Sequence, residues 1–449
     1  MSSPFAEQIL HSFDGSAAIS SKVFSPDRYK TLERIFADAK SFSAQGAGLS
    51  YAPLSFGGSN QAVLDMRQWN SFLQFDLQTG VVEVEAGMTL GKLAEFSVPQ
   101  GWYLKVQPGH PSITVGGCLA SDVHGKNQFQ DGNFKNQVTF LRLYHPTKGY
   151  LYADRNENSE LFDLTCGGYG LTGVVLSVGL QLGKLVSNEI ETETIEIQNI
   201  SDLPAMLAER SLKDDLLYSW HDLNTKKNWG HGFLVTGKNR PSSKPEKIGD
   251  SFQFKNSKLR SEDRGLVSAN LMNAPVVQAM NLFYYQKQTG GAAKKSQALL
   301  EFLFPVLNKT IYFDLFGTKG FHETQVLVPS PKFSDMMKEL EKKRFEFDLP
   351  ITLASAKLFK GQAELLRFNG DGIVMALNFP RNQESLRFLK WWDSLVVDMG
   401  ALPNLSKDSR LPLEIVEKCY PQYGLFKEKL LRWDPERLFQ TALSERLHL

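Results

Sequence analysis

The chain has 449 residues, with 50 Lys and Arg against 49 Asp and Glu, a formal net charge of +1 that gives no global reason to expect nucleic acid. With 42% hydrophobic and 22% charged residues it has the composition of an ordinary globular protein, long enough for two or three domains. Three cysteines (Cys118, Cys166, Cys419) without a CxxC pair argue against a disulfide framework and a zinc site, and eight histidines without an HxxxH or HExxH spacing argue against a catalytic metal. The opening MSSPFAEQIL has no basic stretch before an apolar core, so no signal peptide is expected. The most apolar run, Leu171 to Leu182, is far shorter than the roughly 20 residues of a membrane span. A cytoplasmic protein is expected, peripheral to the inner membrane at most.

Tyr29 to Lys40 spaces Leu32, Ile35 and Phe36 for one buried helical face. Phe42 to Tyr51 reads as a strand running into a glycine turn. Successive amides in such a turn form either an anion-binding nest or a plain hairpin. Ala62 to Met66 and Val82 to Ala86 read as strands, Leu90 to Phe96 as a helical turn or two, and Trp102 to Val106 as another short strand. Pro108 to Val138 (PGHPSITVGGCLASDVHGKNQFQDGNFKNQV) is the stretch around which the chain is organised. Its small residues Gly116, Gly117, Cys118, Ala120 and Ser121 suit a backbone lying against a flat ligand, or a buried glycine turn with a structural histidine.

Leu141 to Tyr144 and Tyr150 to Ala153 flank a Pro-Thr-Lys-Gly turn, a hairpin signal. Gly167, Gly168, Gly170 and Gly173 follow, better explained by close passage beside a ligand than by helix or strand, and Val174 to Leu182 is a strand. A Rossmann unit is not expected, because no acidic residue follows at the end of a βαβ strand. From Ser187 the texture changes: Glu189 to Ile197 is a strand, Ile200 to Arg210 a helix, and Leu216 to Asp222 with His231 to Thr236 an antiparallel pair. Gly237 to Gly265 carries eight Lys/Arg against four Asp/Glu, a local excess of +4 in a polar loop. A helix through Leu282 to Tyr285 precedes a loop with Lys287, Lys294 and Lys295. The amphipathic helix Lys332 to Lys343 lies between the strands Gln325 to Pro329 and Ile373 to Pro380. Strands with covering helices in this order predict an α+β domain on an antiparallel sheet. A polar turn and helices end the chain.

Four motifs are shared with a known family: Gly46-x-Gly48-x-Ser50, Pro108-Gly109 with Thr114 to Gly117 and Asp122-x-His-Gly-Lys-Asn127, Gly167-Gly-x-Gly-Leu-Thr-Gly173, and Lys407-Asp-Ser. Together they resemble the vanillyl-alcohol-oxidase-type FAD family, and within it the decaprenylphosphoryl-ribose oxidase group, over most of the chain. The resemblance implies a two-domain FAD-binding (PCMH/VAO-type) fold of the α+β class. Residues 1–185 would bind FAD, 186–401 would form a substrate domain on an antiparallel sheet covered by helices, and 402–449 would return to the FAD domain.

The implied cofactor is noncovalent FAD. Its implied contacts are Gly46, Ala47, Gly48, Leu49, Ser50 and Tyr51, then Pro108, Gly109, Thr114, Gly116, Gly117, Cys118, Ser121, Asp122, His124, Gly125 and Asn127, and finally Gly168, Gly170, Thr172, Gly173 and Lys407. Carbohydrate oxidases of the family often carry a flavin-bonded histidine where Leu49 stands, and leucine cannot form that bond. The implied reaction takes a hydride from a sugar secondary alcohol to flavin N5, with a fixed cation near flavin N1–C2=O stabilising the charge that arrives. Lys407 is the candidate cation, and His124 and Lys407 contend for the base. Tyr51, Lys126, Trp220, Gln325, Lys357, Gln362 and Asn378 fall where the family binds its sugar phosphate.

Val374 and Ala376 stand where the group carries asparagine and cysteine, so the sugar stays open between a polyprenyl-phosphate pentose, another lipid-linked sugar, and a soluble polyol or lactone. The group's chemistry admits a two-step epimerisation with a short-chain reductase partner. An aldonolactone or alditol oxidase and a non-catalytic flavin scaffold are the competing readings. For a lipid-linked substrate, the basic segments Lys238 to Arg264 and Lys287 to Lys295 are expected to be loops over the pocket that touch anionic membrane weakly.

Overall fold

Short alternating runs in the first half of the chain give strands that each bury one face. The computed structural model describes residues 4–58, 61–239, 268–307 and 311–449. β1 (Ala6–His11), β2 (Ala18–Phe24), β3 (Phe42–Gln45) and β4 (Ala62–Asp65) form a sheet in the order β1-β2-β4-β3, with β4 parallel to both of its neighbours. The helix Tyr29–Asp38 turns Leu32 and Ile35 onto this sheet, where they pack with Phe42 and Leu64. Next come β5 (Phe72–Phe75), β6 (Val81–Glu85), β7 (Trp102–Tyr103), β8 (Val138–His145), β9 (Gly149–Asp154), β10 (Val174–Gln181) and β11 (Gly183–Lys184). Five of them make an antiparallel sheet in the order β5-β6-β10-β8-β9, while β7 and β11 pair with each other.

The third sheet has eight strands: β12 (Glu189–Ile197), β13 (Leu216–His221), β14 (Gly232–Lys238), β15 (Lys294–Ala298), β16 (Phe321–Val328), β17 (Leu353–Phe359), β18 (Gly372–Pro380) and β19 (Leu402–Pro403). Their order is β15-β12-β14-β13-β17-β18-β16-β19. Its two faces differ in chemistry. On one, Val326, Ala356 and Met375 pack under Met336 and Leu340 of the helix Phe333–Arg344 and under Phe388 and Trp392 of the helix Gln383–Asp398. Alternation puts Glu323, Gln325, Lys357 and Asn378 on the other face. Register aligns them there, with Glu323 opposite Asn378, Gln325 opposite Ala376 and Lys357 opposite Val374.

The C-terminal residues serve two sheets. β19 pairs with β16 at one end of this segment. Near the other, Phe42 donates its amide to Leu438 (2.7 Å) and accepts from Gln440 (2.9 Å), so the chain end lines the edge of β3.

Three expectations need correction. The strand read over Trp102 to Val106 stops at Tyr103, because the amides of Lys105 and Val106 bond the Gln137 side-chain oxygen (2.9 and 3.1 Å) instead of a neighbouring strand. Lys287 lies in the last turn of the helix Ala274–Thr289, and Lys294 and Lys295 lie on the edge strand β15 rather than in a loop. The strands β1, β2 and β5 and the helix Ser159–Thr165 were not anticipated. Most of the basic segment Lys238 to Arg264 lies outside the described residues. No helix among the described residues is long and apolar enough to cross a membrane.

Candidate active site

A cleft enclosing ≈ 1460 Å³, its open mouth included, runs along the turn after β3, the central glycine stretch and the turn before β10. Residues Gly46 to Tyr51 line it without interruption, joined by Pro108, Gly109, Thr114, Gly116, Gly117, Ser121, Gly170, Gly173 and Lys407. Among the described residues the amides of Gly46, Ala47, Gly48, Leu49 and Ser50 have no hydrogen-bond partner. Gly48 takes a φ of 67°, which lets the turn curl. Five successive unpaired amides in a half-accessible turn make a nest for an anionic group such as a pyrophosphate. Gly46 also has to be glycine for space: a Cβ there would sit 2.1 Å from Thr114 Oγ1. The walls beyond the nest are small side chains and bare backbone, a fit for a flat aromatic group.

Several expected contacts stand behind the cleft wall rather than in it. Cys118 is fully buried in the core, where burial raises its thiol pKa. Asp122 accepts from the Lys135 amide (2.8 Å) and from Asn133 (3.2 Å). Asn127 donates to Asp131 (2.8 Å) and to the Lys105 carbonyl (3.2 Å), and a Cβ on Gly125 would meet it. Thr172 shares a hydroxyl contact with Thr165 (2.9 Å), and Gly168 packs on the Leu164 carbonyl. These residues shape the turns that line the cleft. Lining residues that the sequence reading missed include His110, Tyr169, Val306 and Phe313. The motifs gave no signal for Val306 and Phe313, which come from a segment remote from them. His110 stood inside the central stretch and could have been named.

At one end of the cleft Lys407 connects it to the polar face of the eight-stranded sheet. Its Nζ lies 3.5 Å from the centre of the Tyr51 ring and 3.4 Å from Glu323 Oε1. The turn that carries it is tied down on both sides. Asn404 donates to Gln325 Oε1 (2.6 Å) and caps Ser406 (2.9 Å), while Arg410 grips Asp393 with two bonds (2.6 and 2.8 Å) and Asp408 with a third (3.0 Å). Gln325 Oε1 also lies 3.3 Å from His124 Nε2. Desolvation, with Lys357 and Lys407 nearby, holds the His124 pKa down at about 3, so its imidazole is neutral. Desolvation and Lys407 pull Lys357 down to about 8, against the attraction of Glu323. The half-buried Lys357 side chain forms no hydrogen bond or ion pair among the described residues.

The expected sugar contacts divide. Tyr51, Gln325, Lys357 and Asn378 share this chamber. Lys126 does not offer a free charge: its Nζ donates to the Phe302 carbonyl and lies over the Phe302 and Tyr218 rings. Trp220 is buried, stacked on Phe233. Gln362 is exposed in the turn after β17. Glu323, in the middle of the chamber, was not anticipated.

Comparison with known proteins agrees with this geometry. Residues 21–152 match the FAD binding domain family. Decaprenylphosphoryl-beta-D-ribose oxidase of Mycolicibacterium smegmatis is 26% identical over 432 residues, covering 90% of this chain and 89% of the relative. The chain is therefore similar to the vanillyl-alcohol-oxidase-type FAD-binding proteins, through the FAD binding domain at residues 21–152 and through this relative over most of its length. It is an FAD-dependent oxidoreductase acting on CH–OH groups, with the two-domain α+β fold of that family. Shorter similarities link the oxidoreductase to D-lactate dehydrogenase of Anaerostipes hadrus (25% over 145 residues, 31% of this chain and 30% of the relative) and to mitochondrial L-galactono-1,4-lactone dehydrogenase of Arabidopsis thaliana (24% over 175 residues, 38% and 28%).

Leu49 lines the cleft and no cysteine does, while His110 is the one histidine among the lining residues. The oxidoreductase is therefore expected to be yellow and to release all of its FAD on acid or heat denaturation. Flavin retained on the precipitated polypeptide would refute noncovalent binding and make His110 the residue to examine. Gly46→Ala forces Thr114 out of its place, where its hydroxyl accepts from the Gly117 amide (3.3 Å). FAD affinity, measured by titrating the apoprotein, is expected to fall by roughly ten-fold or more, about 1.4 kcal/mol.

Proposed function

We propose that the oxidoreductase oxidises a secondary hydroxyl of a sugar. A polyprenyl-phosphate-linked pentose is the substrate that the full-length similarity to decaprenylphosphoryl-beta-D-ribose oxidase favours. The reaction would be the oxidative half of an epimerisation completed by a short-chain reductase, and a lipid-linked substrate would bring the protein into weak peripheral contact with a membrane. The observation that carries the reading is Lys407, which lines the cofactor cleft and at the same time reaches the polar chamber. In this scheme residues 1–185 hold the cofactor, 186–401 the sugar, and 402–449 deliver Lys407.

The turn at Gly46 to Ser50 and the glycine-lined wall would hold FAD, which would supply the oxidant for removal of a hydride from the carbinol carbon. Lys407 supplies a positive charge that is already in place when negative charge develops, and so needs no reorganisation at that moment. Tyr51 carries its ring under that charge. The hydroxyl proton needs an acceptor. His124 is neutral but too weak a base at about 3, and Lys407 is paired with Glu323. Lys357, with a pKa of about 8, has a neutral amine available near neutral pH. It takes the hydroxyl proton and becomes an ammonium as the C–O bond becomes C=O. In its charged form the same side chain suits a phosphate oxygen.

An alditol or aldonolactone oxidase is the second reading, favoured by the apolar Val374 and Ala376 at the sugar-facing wall. Anaerobic bleaching of the bound flavin by a phosphoprenyl riboside, an alditol and an aldonolactone separates the two readings. Reduction by the riboside alone supports the first, and reduction by the small polyols or lactones alone overturns it.

Two variants test the residue roles. Lys407→Ala is expected to retain FAD and to slow flavin reduction by ~10²–10³, the usual cost of one preorganised donor. A near-normal rate removes it from the reaction. Lys357 acts as a base only when neutral, so the reduction rate should rise with pH and level off above about 8. Lys357→Met should be slow at every pH and lose that rise.

A further inference from the structure

Glu323 is 5% exposed and projects from β16 into the chamber, its carboxylate 3.4 Å from the Lys407 ammonium. Directly across the sheet stands Asn378, 1% exposed. The Asn378 Oδ1 has no partner among the described residues. A buried carboxylate and a buried orphaned carbonyl oxygen thus lie side by side on the face that Lys357 also occupies. Both are acceptors, and a buried acceptor without a donor costs free energy that a ligand's hydroxyl recovers. An anion brought there would meet a negative charge already neutralising Lys407.

We propose that Glu323 and Asn378 form an acceptor pair for a hydroxyl beside the reacting carbinol, and that Glu323 is the internal counter-anion that turns away 2-hydroxy acids. This rests on reading the chamber as the place where the CH–OH substrate sits, and it names the substrate's chemistry. The substrate carries a neutral hydroxyl next to the oxidised one, as sugars and polyols do, and no carboxylate at that position.

The charged and titratable groups facing Glu323 come from five segments. They are Lys407 on the C-terminal turn, Lys357 on β17, His124 in the central stretch, Tyr51 in the nest turn and Tyr312 in the helix Ile311–Asp314. With Glu323 neutralised, Lys407 and Lys357 face the chamber as two unbalanced cations. Anions should then bind more tightly, and the amine of Lys357 should lose its proton at lower pH.

The test uses the holoenzyme with Glu323→Gln, which keeps shape and removes charge. Sulfite, titrated against the bound flavin and read by loss of its visible absorption, probes anion entry without any substrate. Sulfite affinity is expected to rise about ten-fold or more in the variant, a conservative allowance for one charge at this distance in a half-buried site. In parallel, an alditol and the aldonate of the same chain length are compared by anaerobic flavin reduction. The wild type is expected to favour the alditol. The variant should shift that ratio at least about ten-fold toward the aldonate, with its pH profile displaced to lower pH. Unchanged sulfite affinity or an unchanged ratio overturns the proposal. Should Glu323→Gln lose its flavin, Asn378→Asp adds a charge at the neighbouring position and should weaken sulfite binding about ten-fold, and no weakening overturns the proposal. If the wild type is reduced by neither sugar nor polyol, the proposed function fails, while the sulfite result still reads the charge of Glu323.

Discussion

Everything around the chamber depends on one lysine held between a ring and a carboxylate. Tyr51 comes from the turn after β3, Glu323 from the eight-stranded sheet and Lys407 from the C-terminal segment, and the three meet within 3.5 Å. A cation over a ring contributes about 0.5–1 kcal/mol at an exposed site and about 2 kcal/mol when desolvated, and the Lys407 side chain is only partly buried. A partly buried ion pair contributes little net, because losing hydration offsets most of the attraction. The contact is therefore weak evidence for stability. It matters because it fixes a charge at the junction of three chain segments.

That charge is held still by its surroundings. The Arg410–Asp393 fork, the Asn404 cap and the Asp408 contact immobilise the backbone on both sides of Lys407. Planar two-point pairing of guanidinium with carboxylate sets an orientation as well as an energy. The Asn404–Gln325–His124 chain then ties the same turn to the central glycine stretch. A side chain on a turn braced from two directions can present its ammonium at one place without help from a ligand.

The sequence read well where backbone chemistry leaves a mark. Glycines and small residues at 46–51, 108–117 and 170–173 pointed to a lined cleft, because close approach needs bare backbone. Alternation found many of the strands that bury one face, though β17, the strand that carries Lys357, was not read. It failed for β1 and β2, where most positions are exposed and the apolar signal is thin. Site residues separated along the same line. Motif membership could not say that Cys118, Asp122, Asn127 and Thr172 brace the wall instead of forming it, since bracing and lining residues share the same short loops. Lys126 was lost to Phe302, distant in the chain, and Trp220 to Phe233, its cross-strand partner in the pairing of β13 with β14. Glu323 went unread because the strand was read from Gln325 onward, whereas β16 begins at Phe321, and only the register opposite Asn378 and the return of Lys407 place its carboxylate in the chamber.

The edge of β3 is completed by Phe439, nearly 400 positions later, through the paired bonds of Phe42 with Leu438 and Gln440. A strand that waits for the far end of its own chain cannot finish folding as it leaves the ribosome. At ~5–20 residues per second, Lys407 emerges roughly 20–70 s after Tyr51. Until then the nest turn lacks its flank and the chamber its cation, so cofactor loading belongs to the finished polypeptide. Contacts of such long sequence separation also slow the last folding step. During that interval the open edge of β3 is exposed to pairing with other chains, and this is the point at which a chaperone would most improve the yield of active protein.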